Sequence, residues 1–222
     1  MYHNFFAWPL HFPNVQVIGD DWCVLRDEGT LVLVVGQELS DCIEIDAGSE
    51  VGELTFTSNS EYLVGGWKEG VQVWRVKDGE RVATMKLGYR VSSIAVSKDG
   101  RFIAGGSGQG DVFVWDATTY EQVFAGYNGW LRSVDASPDS SCLVFANGSA
   151  KTATIWESWD MAVAHGKKVR TDHGEWVLAA KYSPQGDQTA TASAKSIRVW
   201  DSDDGRLLVD VKGELRSSNG FH

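Results

Sequence analysis

Histidine and cysteine side chains supply many catalytic and metal sites, and this chain of 222 residues contains 5 histidines and 3 cysteines. No two of the histidines lie at a metal-ligand spacing near a pair of carboxylates. Cys23, Cys42 and Cys142 are odd in number and far apart, which argues against a disulfide framework and against a zinc site. No serine lies in a Gly-x-Ser-x-Gly turn. The residue types therefore predict no catalytic residues, no metal and no cofactor.

Two short motifs could do chemistry, and a turn explains each of them better. Residues 105–110 are glycine-rich, but a phosphate-binding loop needs a helix after it, and residues 111–115 have the pattern of a strand. Asp203 and Asp204 could form a paired-carboxylate site. They lie in a hairpin signal, however, where aspartate side chains bond to the backbone. Both motifs are predicted to be hairpin turns.

The composition narrows the classes of partner. The formal net charge is −10, and an acidic surface repels both phosphate backbones and anionic lipid headgroups. The sequence therefore predicts neither nucleic acid nor membrane as a partner. The first residues carry no basic segment before a short apolar stretch, and the longest apolar run, residues 31–35, is far below the roughly 20 residues that span a bilayer. A cytoplasmic or nuclear protein is predicted.

Tryptophans mark a repeat with a period of about 40 residues, which is the length of one four-stranded propeller blade. Four of them follow Val or Ile in copies of one local pattern and are separated by 41, 41 and 44 residues. These four tryptophans are Trp74, Trp115, Trp156 and Trp200. A weaker fifth copy precedes them, in which Val34 stands at the tryptophan position.

Each repeat contains signals for four short strands. An alternating segment ends in a turn, a strand of small or apolar residues follows, and a second turn leads to the tryptophan strand. Sheets of this size bury both faces only by stacking around an axis. We therefore predict an all-β fold, a β-propeller of about five four-stranded antiparallel blades. The predicted blades form one domain and lie at about residues 8–46, 47–86, 87–126, 127–170 and 171–211, with a polar tail at 212–222.

These residues resemble the WD-repeat family. The last repeat is similar to its pattern over His173–Val177, Tyr182–Gly186 and Ile197–Asp201, and the resemblance covers roughly residues 15 to 211. It implies structural roles for Trp74, Trp115, Trp156, Trp200 and His173. The family's buried His–Ser/Thr–Asp–Trp network is incomplete, because Ala194 stands at the usual Asp position. The blades are therefore expected to depend more on apolar packing.

The resemblance also implies a surface for protein partners. Propellers of this family bind on the face formed by the loops that lead into the first strands and by the turns between the second and third strands. Aromatic and Arg side chains dominate binding hot spots. The predicted protein-binding residues are Trp67, Tyr89, Arg90, Trp130, Arg132 and Trp176. An alternative is that Trp130 and Trp176 only pack at the start of their strands.

Three functions remain open on the sequence. The first is a protein-interaction scaffold or regulatory module without catalytic activity. The second is a piece of a larger multidomain WD-repeat regulator, because five blades are fewer than the family's usual seven and residues 212–222 stop where another blade would begin. Open blade edges would then favour self-association. The third is a propeller hydrolase with a site in the central channel, where Glu53 and Asp135 are the acidic residues of the inner strands.

Overall fold

The computed structural model describes residues 14–17, 22–27, 30–35, 42–48, 51–127, 130–148, 150–157 and 168–213. These residues form five antiparallel sheets of four strands each, which we number 1 to 5 in chain order. The predicted all-β architecture of about five blades is confirmed. The described ranges contain no helix that could cross a membrane.

In every sheet, consecutive strands are neighbours, so each sheet is a simple meander. Sheet 1 contains β1 (Asn14–Val17), β2 (Trp22–Asp27), β3 (Thr30–Val35) and β4 (Cys42–Asp46). Sheet 2 contains β5 (Val51–Phe56), β6 (Tyr62–Trp67), β7 (Gly70–Arg75) and β8 (Arg81–Lys86). Sheet 3 contains β9 (Val91–Val96), β10 (Phe102–Ser107), β11 (Asp111–Asp116) and β12 (Gln122–Tyr127). Sheet 4 contains β13 (Leu131–Ala136), β14 (Cys142–Asn147), β15 (Thr152–Glu157) and β16 (Lys168–Asp172). Sheet 5 contains β17 (Val177–Tyr182), β18 (Gln188–Ser193), β19 (Ser196–Asp201) and β20 (Leu207–Lys212). The predicted first strand of the first repeat was expected between about Trp8 and Val17, and its part before Asn14 lies outside the described residues.

Alternating side chains let one sheet pack on two neighbours. In sheet 4, Leu143 and Phe145 belong to the cluster shared with sheet 3, whereas Val144 and Ile155 belong to the cluster shared with sheet 5. Sheet 1 packs on sheet 2 in the same way, through Leu31. The core is therefore a series of apolar layers between consecutive sheets.

The tryptophan of the third strand does not meet the same partner in every sheet. A Cβ added at Gly65 would lie 2.9 Å from the ring of Trp74, so only glycine leaves room for that ring. The same position in sheet 4 is Phe145, whose ring lies 5.0 Å from that of Trp156. Trp74 is fully buried, whereas Trp156 is only partly buried. The predicted core role of Trp156 is thus weaker than that of Trp74, because a phenyl ring takes the space beneath it.

Sheet 5 has one open apolar face. Ile197 and Val211 pair across β19 and β20, and they are 41% and 56% exposed. The corresponding pair in sheet 2, Val71 and Met85, is 0% and 6% exposed because sheet 3 covers it. The outward face of sheet 5 thus has the composition of an interface between sheets, and no further sheet among the described residues covers it.

Candidate functional site

The five sheets present their turns at two ends. The turns between first and second strands lie together, since the N–H of Asp99 donates to Ser140 Oγ at 2.9 Å across two sheets. We call this the aspartate end. The opposite end holds the segments that lead into the first strands, residues 87–90, 130 and 173–176, and the turns between second and third strands. We call it the tryptophan end.

Trp130 and Trp176 contact each other at the tryptophan end. Their ring centroids are 6.2 Å apart and their planes meet at 73°, an edge-to-face arrangement. The two residues lie in consecutive sheets, 46 positions apart in the chain. They are 48% and 50% exposed, so about half of each side chain remains open to a partner. The pair forms an apolar corner on the surface, and this corner is the centre of the candidate site.

Irregular starts of the first strands shape the surroundings of this corner. The pairing register shifts between Leu131 and Ser133 in sheet 4 and between Val177 and Ala179 in sheet 5. A bulge turns the side chain of the extra residue away from the regular pattern. The residues within these two bulges are Arg132 and Leu178, and both are exposed, Leu178 by 42%. A second exposed side chain therefore lies two positions after each of these tryptophans.

Two cations lie beside Trp130. The Trp130 carbonyl accepts a hydrogen bond from Gly148 N at 2.9 Å, and the stem of Arg132 crosses Gly148, with Cγ 3.5 Å from where a Cβ would be. Lys151 ends the same turn and is exposed. Neither Arg132 nor Lys151 forms an ion pair within the described part of the chain. Their charges are therefore available to a ligand at the tryptophan end.

The other predicted binding residues differ in accessibility. Arg90 is exposed at the same end. Tyr89 is partly buried, its ring lies 5.8 Å from that of Phe113, and burial together with Asp111 raises the pKa of its hydroxyl. Trp67 is only 9% exposed because its ring lies in the core. Trp130 and Trp176 are therefore exposed enough to contact a partner, whereas Trp67 is too deeply buried. The predicted contact roles remain predictions.

The aspartate end is acidic, and its carboxylates bind their own turns. Asp139 accepts hydrogen bonds from Ser137 Oγ at 2.6 Å and from Ser141 N at 3.0 Å. Asp116 accepts from the N–H groups of Thr118 and Thr119, both at 2.8 Å. These bonds lower the pKa of both carboxyl groups. The Ser137 hydroxyl has the largest effect on Asp139, and the Thr119 N–H has the largest effect on Asp116. Asp203 and Asp204 lie in the turn between β19 and β20, where Asp204 Oδ1 accepts from Arg206 N at 2.8 Å and both N–H groups donate to Asp201.

A shortened polar network stabilises sheet 5. His173 is buried and its Nε2 contacts Thr191 Oγ1, to which Trp200 Nε1 donates at 2.7 Å. Burial, and then the charge of Arg198, lowers the pKa of His173. Thr191 joins the two rings directly, so the network forms without an aspartate at position 194. In sheet 2, by contrast, the buried Trp74 Nε1 has no hydrogen-bond partner within the described part of the chain.

The inner strands line a cavity of about 440 Å³ that contains the two acidic residues considered for a channel site. Glu53 accepts from Ser93 Oγ at 2.6 Å and from Ile94 N at 3.0 Å. Asp135 accepts from Tyr182 N at 2.9 Å, and Lys181 Nζ lies 3.4 Å from it. Both carboxylates thus join neighbouring sheets. No group of three metal-ligating side chains occurs among the residues described.

Leu178, Lys151 and Lys181 are not among the site residues that the sequence predicts. A signal for Leu178 was present, because an apolar residue directly after the buried Val177 breaks the alternation of the strand. Lys181 had no comparable signal. Its partners Glu53 and Asp135 are 128 and 46 residues away, and the sheet packing brings the three side chains together.

Comparisons with known proteins agree with the repeats. The family model described as "WD domain, G-beta repeat" matches residues 79–116 and 166–201. The chain is similar to a small ribosomal subunit protein RACK1 of Glycine max, with 30% identity over 94 residues, which is 42% of this chain and 27% of that protein. It is also similar to WD repeat-containing protein 1 of Bos taurus, with 26% identity over 172 residues, which is 72% of this chain and 28% of that protein. RACK1y of Oryza sativa subsp. japonica is 27% identical over 118 residues, which is 52% of this chain and 33% of that protein. The chain therefore spans about a third or less of the length of these relatives.

Proposed function

We propose that this chain, a WD-repeat protein, is a protein-interaction module that binds its partner at the tryptophan end. The observation that carries the proposal is the Trp130–Trp176 corner, in which two neighbouring indole rings remain half exposed. Large apolar side chains are normally buried, and an exposed aromatic cluster is typical of binding hot spots. Arg90 and Arg132, exposed at the same end, add polar contacts.

The module is proposed to act without catalysis. The residues considered for a hydrolytic site, Glu53 and Asp135, are held by backbone N–H groups of the neighbouring sheets. A carboxylate used in this way has a structural function that accounts for its place. The RACK1 relatives are named as small ribosomal subunit proteins, and we propose a cytoplasmic location for this chain by analogy.

The test is affinity capture with quantitative mass spectrometry, comparing the wild-type chain with the triple variant Arg90→Glu, Trp130→Ala, Trp176→Ala. We expect specific partners to be lost at least about 30-fold, because each hot-spot tryptophan contributes roughly 2 kcal/mol or more to binding. Glu121→Lys at the aspartate end is the matched control and should capture the same partners as the wild type. Circular dichroism and thermal melting check the fold. Equal capture of all partners by the well-folded triple variant would refute the proposed site.

A second candidate function is assembly through the open face of sheet 5. Ile197 and Val211 occupy positions that the next sheet covers elsewhere, and we propose that a further WD-type blade or a second copy of the chain covers them. Light scattering during size-exclusion chromatography tests self-association. We expect species heavier than 24.4 kDa that return to monomers in the variant Ile197→Lys, Val211→Lys. A wild-type monomer at all accessible concentrations would exclude the second copy.

A further inference from the structure

The two ends of the sheets differ in whether their charged side chains already have partners within the described sheets. At the aspartate end, Asp78 is paired with Arg75 at 2.9 Å, and Asp116 and Asp139 bind hydroxyl and N–H groups of their own turns. At the tryptophan end, Arg132 and Lys151 have no ion-pair partner among the residues that the structure describes. The net charge of −10 therefore does not represent the surface around the two tryptophans.

We infer that the tryptophan end binds an acidic peptide segment of a protein partner, with one large apolar side chain seated in the Trp130–Trp176 corner. This inference rests on the proposed function and specifies the partner's chemistry. The planes of the two rings meet at 73°, so an apolar side chain that lies in the outer angle of this corner contacts both rings. Leu178 in sheet 5 extends the apolar surface on one side.

Charge complementarity selects an acidic segment. Lys151 lies in the turn between β14 and β15, whose Gly148 N donates to the Trp130 carbonyl, and the stem of Arg132 from the bulge of β13 lies against Gly148. A carboxylate close to the apolar anchor of the bound peptide meets these cations. A basic segment meets uncompensated repulsion at the same place, and like charges at an interface exclude wrong partners. The acidic aspartate end repels the peptide and favours its approach to the tryptophan end.

Glu175 does not reverse this selection. Its carboxylate lies 3.5 Å from Lys195 Nζ, so its charge is paired within sheet 5. Asp172 is exposed next to His173, but its Oδ1 accepts a hydrogen bond from Gly174 N at 2.8 Å. Of the two acidic residues nearest to Trp176 in sequence, Glu175 is thus paired with a cation and Asp172 accepts a hydrogen bond from a nearby N–H group, whereas Arg132 and Lys151 have no ion-pair partner among the described residues.

The experiment selects binders to the full chain from a random library of 12-residue peptides displayed on phage, followed by fluorescence anisotropy with the enriched peptides. We expect peptides of net negative charge with a large apolar residue, and loss of binding to the variant Trp130→Ala, Trp176→Ala. The variant Arg132→Glu, Lys151→Glu should weaken binding about 10-fold or more, since two exposed ion pairs are replaced by repulsion. Higher salt should weaken the wild-type complex as well.

The matched control is Lys77→Glu, Lys98→Glu, which changes the net charge equally at the aspartate end and should alter affinity less than about twofold. Equal weakening by both charge variants would mean that only the total charge matters, and it would overturn the inference. Enriched peptides that need the tryptophans but are neutral or basic would overturn it too, while the proposed function would stand. If no enriched peptide responds to the tryptophan variant, the proposed site itself fails.

Discussion

The aspartate end and the tryptophan end are built by the same strands but use their polar and aromatic residues in opposite ways. At the aspartate end, the carboxylates of Asp116 and Asp139 accept hydrogen bonds from groups of their own turns. At the tryptophan end, Trp130 and Trp176 keep half of their surface exposed and Arg132 has no ion-pair partner among the described residues. A carboxylate that already accepts hydrogen bonds within its turn has few acceptor sites left for a ligand. The aspartate end therefore stabilises the fold, whereas the tryptophan end keeps side chains that are accessible to a partner.

The same contrast holds among the tryptophans. Trp74 is completely buried in the apolar cluster between sheets 1 and 2, whereas Trp176 lies just before β17 with 50% of its surface exposed. Residue type alone does not distinguish them. Their burial does, because the free energy that a side chain contributes to folding grows with the apolar area removed from water.

The largest effect is expected where this contrast is tested directly. Trp74→Ala should lower the free energy of unfolding by about 3–5 kcal/mol, the usual cost of removing a buried aromatic ring. Trp176→Ala should lower it by only about 1 kcal/mol, because half of this side chain is already exposed in the folded chain. Urea denaturation followed by circular dichroism measures both values. A loss of about 2 kcal/mol or more in Trp176→Ala would mean that the exposed indole is structural, which was the alternative for both exposed tryptophans.

We expect pH to have a smaller effect on folding stability. The carboxylates of the aspartate end and the buried His173 should act in different pH ranges. The pKa of His173 is lowered in the folded chain, so the unfolded chain binds its proton first and stability should decline as the pH falls below 6.5. The pKa of Asp116 and that of Asp139 are lowered in the folded chain. The stability that these carboxylates contribute should therefore be lost as the pH falls below 3.8.

Thermal melting from pH 8 to pH 3 should therefore show two declines. The variant His173→Gln should lack the upper decline and keep the lower one, and Asp139→Asn should reduce the lower one alone. An upper decline of unchanged size in His173→Gln would show that another group causes it.

Much of the fold could be predicted because each repeat contains the turn residues and the tryptophan that indicate where its strands begin and end. Turn residues such as Asp99 and Asp139 recur at one point of the repeat, and the tryptophans at another. Such signals act over a few residues and need no knowledge of neighbouring sheets. The part of the first repeat before Asn14 lies outside the described residues, and the predicted blade boundaries and the protein-binding residues remain predictions.

Less of the candidate site could be predicted. Trp67 and Trp130 are the same residue type near the same end, but Trp67 is 9% and Trp130 48% exposed. Sequence spacing placed both in the candidate surface. Whether a side chain at the end of a strand turns into the core or toward solvent depends on the strand that packs beside it, and on bulges such as that at Arg132.

The unit of four strands, its repetition and the position of its turns are readable from the amino-acid sequence, because they follow from alternation and turn chemistry within about 40 residues. The contact of Trp130 with Trp176, the position of Lys181 between Glu53 and Asp135, and the exposure of one face of sheet 5 among the described residues emerge only from the packing of the sheets. These features are contacts, or missing contacts, between different sheets. Their free energy depends on how the sheets pack, which no single repeat encodes.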